Sequence, residues 1–145
     1  MGYEGLKLDH QLCFPLYAAA KEVVGRYKPF LDALNLTYTQ YITMMVMWEA
    51  GTVTVGELGA RVHLDSGTLT PLLKRLESKG YIRRERSRLD ERTVVLTITE
   101  DGEALKEQAV YIPQQLAQCL PLSQEESGIL YELLYKLLGS STKQS

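Results

Sequence analysis

The chain has 145 residues, 45% of them hydrophobic and 23% charged, with a net charge of -2; it suits one domain with a sizeable core, and it is not a wholly basic nucleic-acid binder. Two cysteines are too few for a disulfide scaffold, and no signal peptide opens the sequence. The longest apolar run, "YITMMVMW", falls far short of the about 20 residues that cross a bilayer, so a cytoplasmic protein with no membrane partner is expected, its thiols kept reduced.

Apolar residues recur at helical spacing from Leu8 to Leu34, through Leu12, Leu16, Ala19, Val23, Tyr27 and Phe30, which predicts one long first helix. Pro15 falls inside it and should cost a hydrogen bond, giving a bend or a late start near Cys13. "TYTQ" opens a second helix, with Thr37 and Gln40 at capping-box spacing and Gly51 as its stop. Thr54 and Glu57 repeat that spacing at a short third helix. A fourth opens at "DSGT" and runs to Lys79, ended by Gly80. The period then changes: "YIRRERS" and "RTVVLTI", separated by the polar "RLDE", form a β-hairpin. Thr99 caps a fifth helix to about Cys119, bent at Pro113. Pro121 breaks the chain, and Ser123 with Glu126 opens a last helix to Leu138. The final "GSSTKQS" reads as a frayed tail. Trp48 and the Met44, Met45, Met47 group read as core.

The fold class is therefore mainly α with a small β-hairpin wing, a winged helix-turn-helix. The whole of 1–145 is one domain: the reading head covers about 37–99, with dimerisation helices at about 8–34 and 100–139. Such a unit places its second helix in the major groove of double-stranded DNA. Local charge agrees: Arg61 to Val95 carries nine Lys or Arg against five Asp or Glu, a balance of +4, so the remainder carries -6. A solvated amphipathic face is the plain alternative. On the predicted recognition helix, Ser66, Thr68 and Thr70 are short hydroxyl residues able to approach phosphates or base edges, although one of them serves as a cap. Lys74 and Arg75 follow. Arg86, Arg88 and Arg92 flank the hairpin tip, where an arginine suits a narrow minor groove, and Asp90 is placed to orient an arginine.

Both chain ends hold more apolar surface than the reading head covers: Ile129, Leu130, Leu133, Leu134, Leu137 and Leu138 give the last helix a wide apolar face. A symmetric homodimer on a pseudo-palindromic operator is expected, its two heads about one DNA turn apart. Cys13 has two readings. A free cysteine is commonly an inert buried hydrophobe. A helix start that favours thiolate, nearby tyrosines and the irregularity at Pro15 argue for a working thiol. His10 and His63 are isolated, so no metal is expected, nor any cofactor.

"LDHQLCFPLYAA", "LTYTQYITMMVMWE" and the "LDSGTLTPLLKRLE" and "DER…LT" segments resemble the MarR family of winged-helix repressors over essentially the whole chain, and "LCFPLY" resembles its organic-hydroperoxide sensors, the OhrR type. The resemblance implies that Cys13 is the redox-sensing thiol. It implies that Tyr17, Tyr27 and Tyr38 support it, partly from the other subunit, and that an organic hydroperoxide is the oxidant. Cys119 lies where two-cysteine members keep the residue that resolves the sulfenic acid as a disulfide. The function so implied is a repressor, not an enzyme, that releases its operator on oxidation. A repressor gated by a phenolic ligand, and a thiol peroxidase, are the alternatives.

Overall fold

A computed structural model describes residues 2–139 and divides the chain into two compact units, one running to Pro113 and one from Gln114 on. The predicted tail at Ser140 to Ser145 lies outside the described residues.

The first unit opens with two 3-10 turns, Glu4–Leu6 and Leu8–His10. They are tied locally: His10 Nδ1 lies 2.8 Å from the Glu4 carbonyl oxygen, and the Gln11 side-chain amide donates to the carbonyls of Gly5 and Lys7, each at 2.7 Å. The expected single helix from Leu8 to Leu34 is not formed; α1 spans Cys13–Arg26 and α2 spans Lys28–Asp32. Pro15 sits in the first turn of α1, where an N–H has no partner inside the helix, so it marks a late start and costs no hydrogen bond. Pro29, which lacks an N–H altogether, forces the second break and lies in the first turn of α2.

The capping boxes form where their spacing places them. Thr37 and Gln40 open α3 (Tyr38–Ala50), and Gly51 closes it at φ 75°. Thr54 and Glu57 open α4 (Val55–Val62), and Asp65 caps α5 (Ser66–Ser78). Between α3 and α4 runs β1 (Thr52–Thr54), a strand too short to announce itself in sequence. It makes the wing a three-stranded antiparallel sheet, not a two-stranded hairpin. The central strand is β3 (Val94–Ile98), flanked by β1 and by β2 (Ile82–Arg86). Val53 of β1 pairs opposite Leu96, and both are buried, which explains why so short a strand is held.

Thr99 caps α6 (Glu100–Ala109). The helix expected to continue to Cys119 stops there. A new one, α7 (Ile112–Cys119), begins with Pro113 in its first turn, so the proline restarts the helix instead of bending it. In the second unit, Ser123 and Glu126 open α8 (Gln124–Leu137) with a third capping box.

The core of the first unit gathers Leu31, Tyr41, Met44, Met47, Leu58, Leu69, Leu73, Leu76, Ile82 and Leu96. Met45 is not core: one step round α3 from Met44, it is 42% exposed. Trp48 is half-buried, and its indole donates to the Gly102 carbonyl at 2.8 Å. A Cβ at Gly102 would lie 2.2 Å from the Tyr81 carbonyl oxygen, so only glycine lets α6 start this close to the end of the wing.

Candidate functional site

The turn between α4 and α5 is tight. His63 ends α4 in the left-handed region at φ 56°, and the Leu64 N–H donates to the Gly59 carbonyl at 3.1 Å. Leu69, Leu72, Leu73 and Leu76 bury one face of α5. The opposite face exposes Ser66, Thr68, Thr70, Lys74 and Arg75. Part of the hydroxyl set is already engaged, since the Thr70 hydroxyl donates to the Ser66 carbonyl at 2.8 Å. Asp65 accepts from the Thr68 N–H at 2.8 Å, and that bond holds its carboxyl below the usual carboxylate range. Pro71, inside α5, has no N–H to donate to the Gly67 carbonyl.

The wing is bolted to this helix. Arg84 Nε donates to Glu77 at 3.0 Å and its backbone N–H to the same carboxylate at 3.1 Å, which lowers the Glu77 pKa. At the far end of α5 the Lys79 ammonium donates to the Asn35 carbonyl and, at 3.2 Å, to Gln40 Oε1. Burial, then the charge of Arg75, lowers the Lys79 pKa.

The tip between β2 and β3 is held by its own side chains. Ser87 Oγ accepts from the N–H of Leu89 at 3.1 Å and of Asp90 at 3.4 Å. Asp90 accepts from the Arg92 N–H at 3.0 Å and the Thr93 hydroxyl at 3.3 Å, and lies 3.5 Å from Arg92 Nε. Arg86 donates to the Glu91 carbonyl at 2.8 Å, and Arg88 is exposed. The structure thus gathers Arg86, Arg88, Asp90 and Arg92 on one tip. It also shows a residue the sequence reading passed over: Leu89 is 99% exposed. Its signal was a lone apolar residue inside the polar "RLDE".

Cys13 is exposed as the first residue of α1, and Cys119 is exposed as the last residue of α7. Tyr27 and Tyr38 pack together with ring centroids 4.9 Å apart, and Tyr41 joins them at 5.5 and 6.3 Å. Burial and the neighbouring Tyr38 and Tyr41 push the Tyr27 phenol up to about 12, and burial raises those of Tyr38 and Tyr41. Tyr41 was not singled out in sequence because it stands in an apolar run that reads as core. Tyr17 is exposed, with the Lys21 ammonium 5.3 Å from its ring centroid. Among the described residues it makes no ring contact with the Tyr27–Tyr38–Tyr41 cluster. Among those residues no group of three or more His, Cys, Asp or Glu gathers as metal ligands would, and no helix is long and apolar enough to cross a membrane.

Known proteins match both the sequence and this geometry. The model of the transcriptional regulator SarA/Rot family matches residues 26–109, more than half of the chain. The organic hydroperoxide resistance transcriptional regulator of Bacillus subtilis (strain 168) is 48% identical over 136 residues, which cover 94% of this chain and 92% of that protein. Reduced AbfR bound to DNA is similar at a TM-score of 0.78 and 33% identity, over 94% of this chain and 95% of that one; AbfR comes from Staphylococcus epidermidis. A mutant MarR from E. coli complexed with operator DNA gives a TM-score of 0.79 and 28% identity, over 88% and 93% of the two chains. The relatives are regulators, which removes the peroxidase alternative. With its helix-turn-helix and wing, the chain belongs to the MarR family of winged-helix transcriptional regulators, in the branch of the organic hydroperoxide and SarA/Rot-type proteins, and is a DNA-binding regulator and not an enzyme.

Proposed function

We propose that this regulator is a homodimeric repressor that releases its operator when an organic hydroperoxide oxidises Cys13. The observation that carries the reading is the placement of Cys13. It is exposed at the first position of α1, at the positive end of that helix, and no side chain of the N-cap residue Leu12 bonds the helix start. A thiolate there attacks the distal peroxide oxygen. The O–O bond breaks, the alcohol leaves with a proton, and the sulfur becomes a sulfenic acid. A second thiolate, Cys119 of the other subunit, attacks that sulfur; water leaves and a disulfide remains. The similarity to the Bacillus subtilis organic hydroperoxide resistance regulator supports the oxidant class.

In the reduced dimer Tyr17, Tyr27 and Tyr38 hold the thiol. The high pKa of Tyr27 keeps its hydroxyl a donor at any physiological pH. DNA is held by Ser66, Thr68, Thr70, Lys74 and Arg75 in the major groove. Arg86, Arg88 and Arg92 serve at the wing, with Asp90 orienting Arg92.

The test is DNA binding by fluorescence anisotropy, on a duplex selected by the protein itself, before and after one equivalent of cumene hydroperoxide. Wild type should release the duplex, and Cys13→Ser should hold it throughout, because serine keeps the size but forms no sulfenic acid. Equal release by both proteins would refute the sensor role. A second reading, release by a phenolic ligand, draws on a cleft of about 360 Å³ lined by Tyr41, Met45, Trp48, Val110 and Pro113. Release by salicylate with Cys13 still reduced would select it.

A further inference from the structure

Leu89 stands at the end of the wing with 99% of its surface exposed, in a turn that the chain otherwise builds from polar residues. Leaving a leucine in water forgoes a burial worth about 1.5–3 kcal/mol. Lone surface leucines are common, but this one is held out and not merely left out. The Ser87 hydroxyl fixes its N–H, Asp90 fixes the N–H of Arg92 and the hydroxyl of Thr93, and the Ser87 N–H donates to the Thr93 carbonyl at 2.8 Å. The turn therefore presents the side chain in a set direction before any partner arrives, so little conformational entropy remains to be lost on contact. Its neighbours identify that partner. Arg88 and Arg92, both exposed, stand on either side of it in sequence; of the two acids between the leucine and Arg92, Asp90 has both oxygens engaged within the turn, and Glu91 is exposed. An apolar knob in a turn with two arginines matches a DNA minor groove, whose phosphate-lined edges attract the arginines and whose sugar walls, with the base faces of an opened step, are apolar enough to cover a leucine.

We propose that Leu89 is a sequence-selecting wedge, inserted into the minor groove at a deformable base step. The wedge reads the operator by the energy of opening that step, not by hydrogen bonds. It depends on the wing contact proposed above and not on the chemistry of Cys13, so all measurements use reduced protein.

The experiment begins with wild-type protein selecting its preferred duplex from a random library. Binding of wild type, Leu89→Gln and Leu89→Met is then measured on that duplex, on an unselected duplex and on a version with a stiff G·C step at the wing. Leu89→Gln should lose about tenfold on the selected duplex, as expected for a leucine about half covered, and almost nothing on the unselected one. Leu89→Met, still apolar, should stay within about threefold of wild type. The slope of affinity against salt should be the same for all three, because no charge is removed. The G·C version should weaken wild type but not Leu89→Gln further. A 2-aminopurine placed at the wing step should brighten with wild type, as unstacking requires, and not with Leu89→Gln. Equal affinity of Leu89→Gln and wild type on the selected duplex would overturn the proposal. So would equal losses on all duplexes, or a wild-type protein that selects no sequence at all. The residue is 99% exposed and its bond to Ser87 uses the backbone N–H, which every variant keeps, so every variant should melt with wild type.

Discussion

Tyr27 shows how one side chain becomes a measurable quantity. Its ring packs against those of Tyr38 and Tyr41, and burial with those neighbours lifts its pKa from 10.0 to about 12. A raised pKa means that the fold holds the proton more tightly than the unfolded chain does. The stabilisation is complete below pH 10 and disappears as pH rises through about 12. The midpoint of urea unfolding should therefore fall between those pH values, and Tyr27→Phe should flatten the fall; the same slope in both proteins would place its cause elsewhere. At this scale the sequence marks Cys13, Tyr27 and Tyr38 but passes over Tyr41 and Leu89. An aromatic residue inside an apolar run looks like core, and Tyr41 is indeed buried as well as part of the cluster. Leu89 was marked only by being the lone apolar residue of "RLDE", and its full exposure is seen only in the structure.

Helices announce themselves by their ends. The Thr37–Gln40, Thr54–Glu57 and Ser123–Glu126 boxes are local devices that need no tertiary partner, so spacing alone finds them. Apolar periodicity over Leu8 to Leu34 misled because half of its residues, Leu8, Leu12, Leu16 and Ala19, are exposed within this chain, and Pro29 interrupts the backbone. β1 was invisible because three residues cannot show a period, and its strand character comes from β3. The start of α6 is fixed by an absence of side chain that sequence shows only as a glycine. Thr99 donates to the Gly80 carbonyl at 2.6 Å and accepts from the Gly102 N–H, while Trp48 bonds the Gly102 carbonyl. Gly102→Ala would drive a Cβ against the Tyr81 carbonyl oxygen, which is backbone and cannot swing away. A loss of about 3 kcal/mol, at the upper end for overpacking, should appear in urea unfolding. A loss under about 0.5 kcal/mol, as at an ordinary surface site, would show that α6 is free to shift.

Each unit leaves apolar surface open: Leu12, Phe14, Leu16 and Tyr17 at the start of the first, Ile129, Leu133 and Leu137 in the second. Our proposal assigns these faces to a second copy of the chain, which makes stability depend on concentration. The two cysteines supply the check, since Cys13 belongs to the first unit and Cys119 to the second. Bridging needs Cα atoms within about 7 Å, so on our proposal a reduced pair held farther apart has to move to close the bond, and the reading heads move with it. Non-reducing electrophoresis after peroxide should show a dimer band that dithiothreitol removes and that Cys119→Ser lacks. A monomer band with a small thiol attached to Cys13 would leave Cys119 without a resolving role.

The central position of β3 has one more consequence. It pairs with β1, which continues through Thr54 straight into α4, and with β2, which Arg84 ties to Glu77 on α5. Helix and wing are thus a single inelastic gauge. On the docking proposed above, the distance within a half-site from the major-groove letters to the wing's step is set by protein. One inserted base pair, about 3.4 Å of rise, should then put the two marks out of register and weaken binding. An operator read this way can vary in the letters between the marks but not in their number.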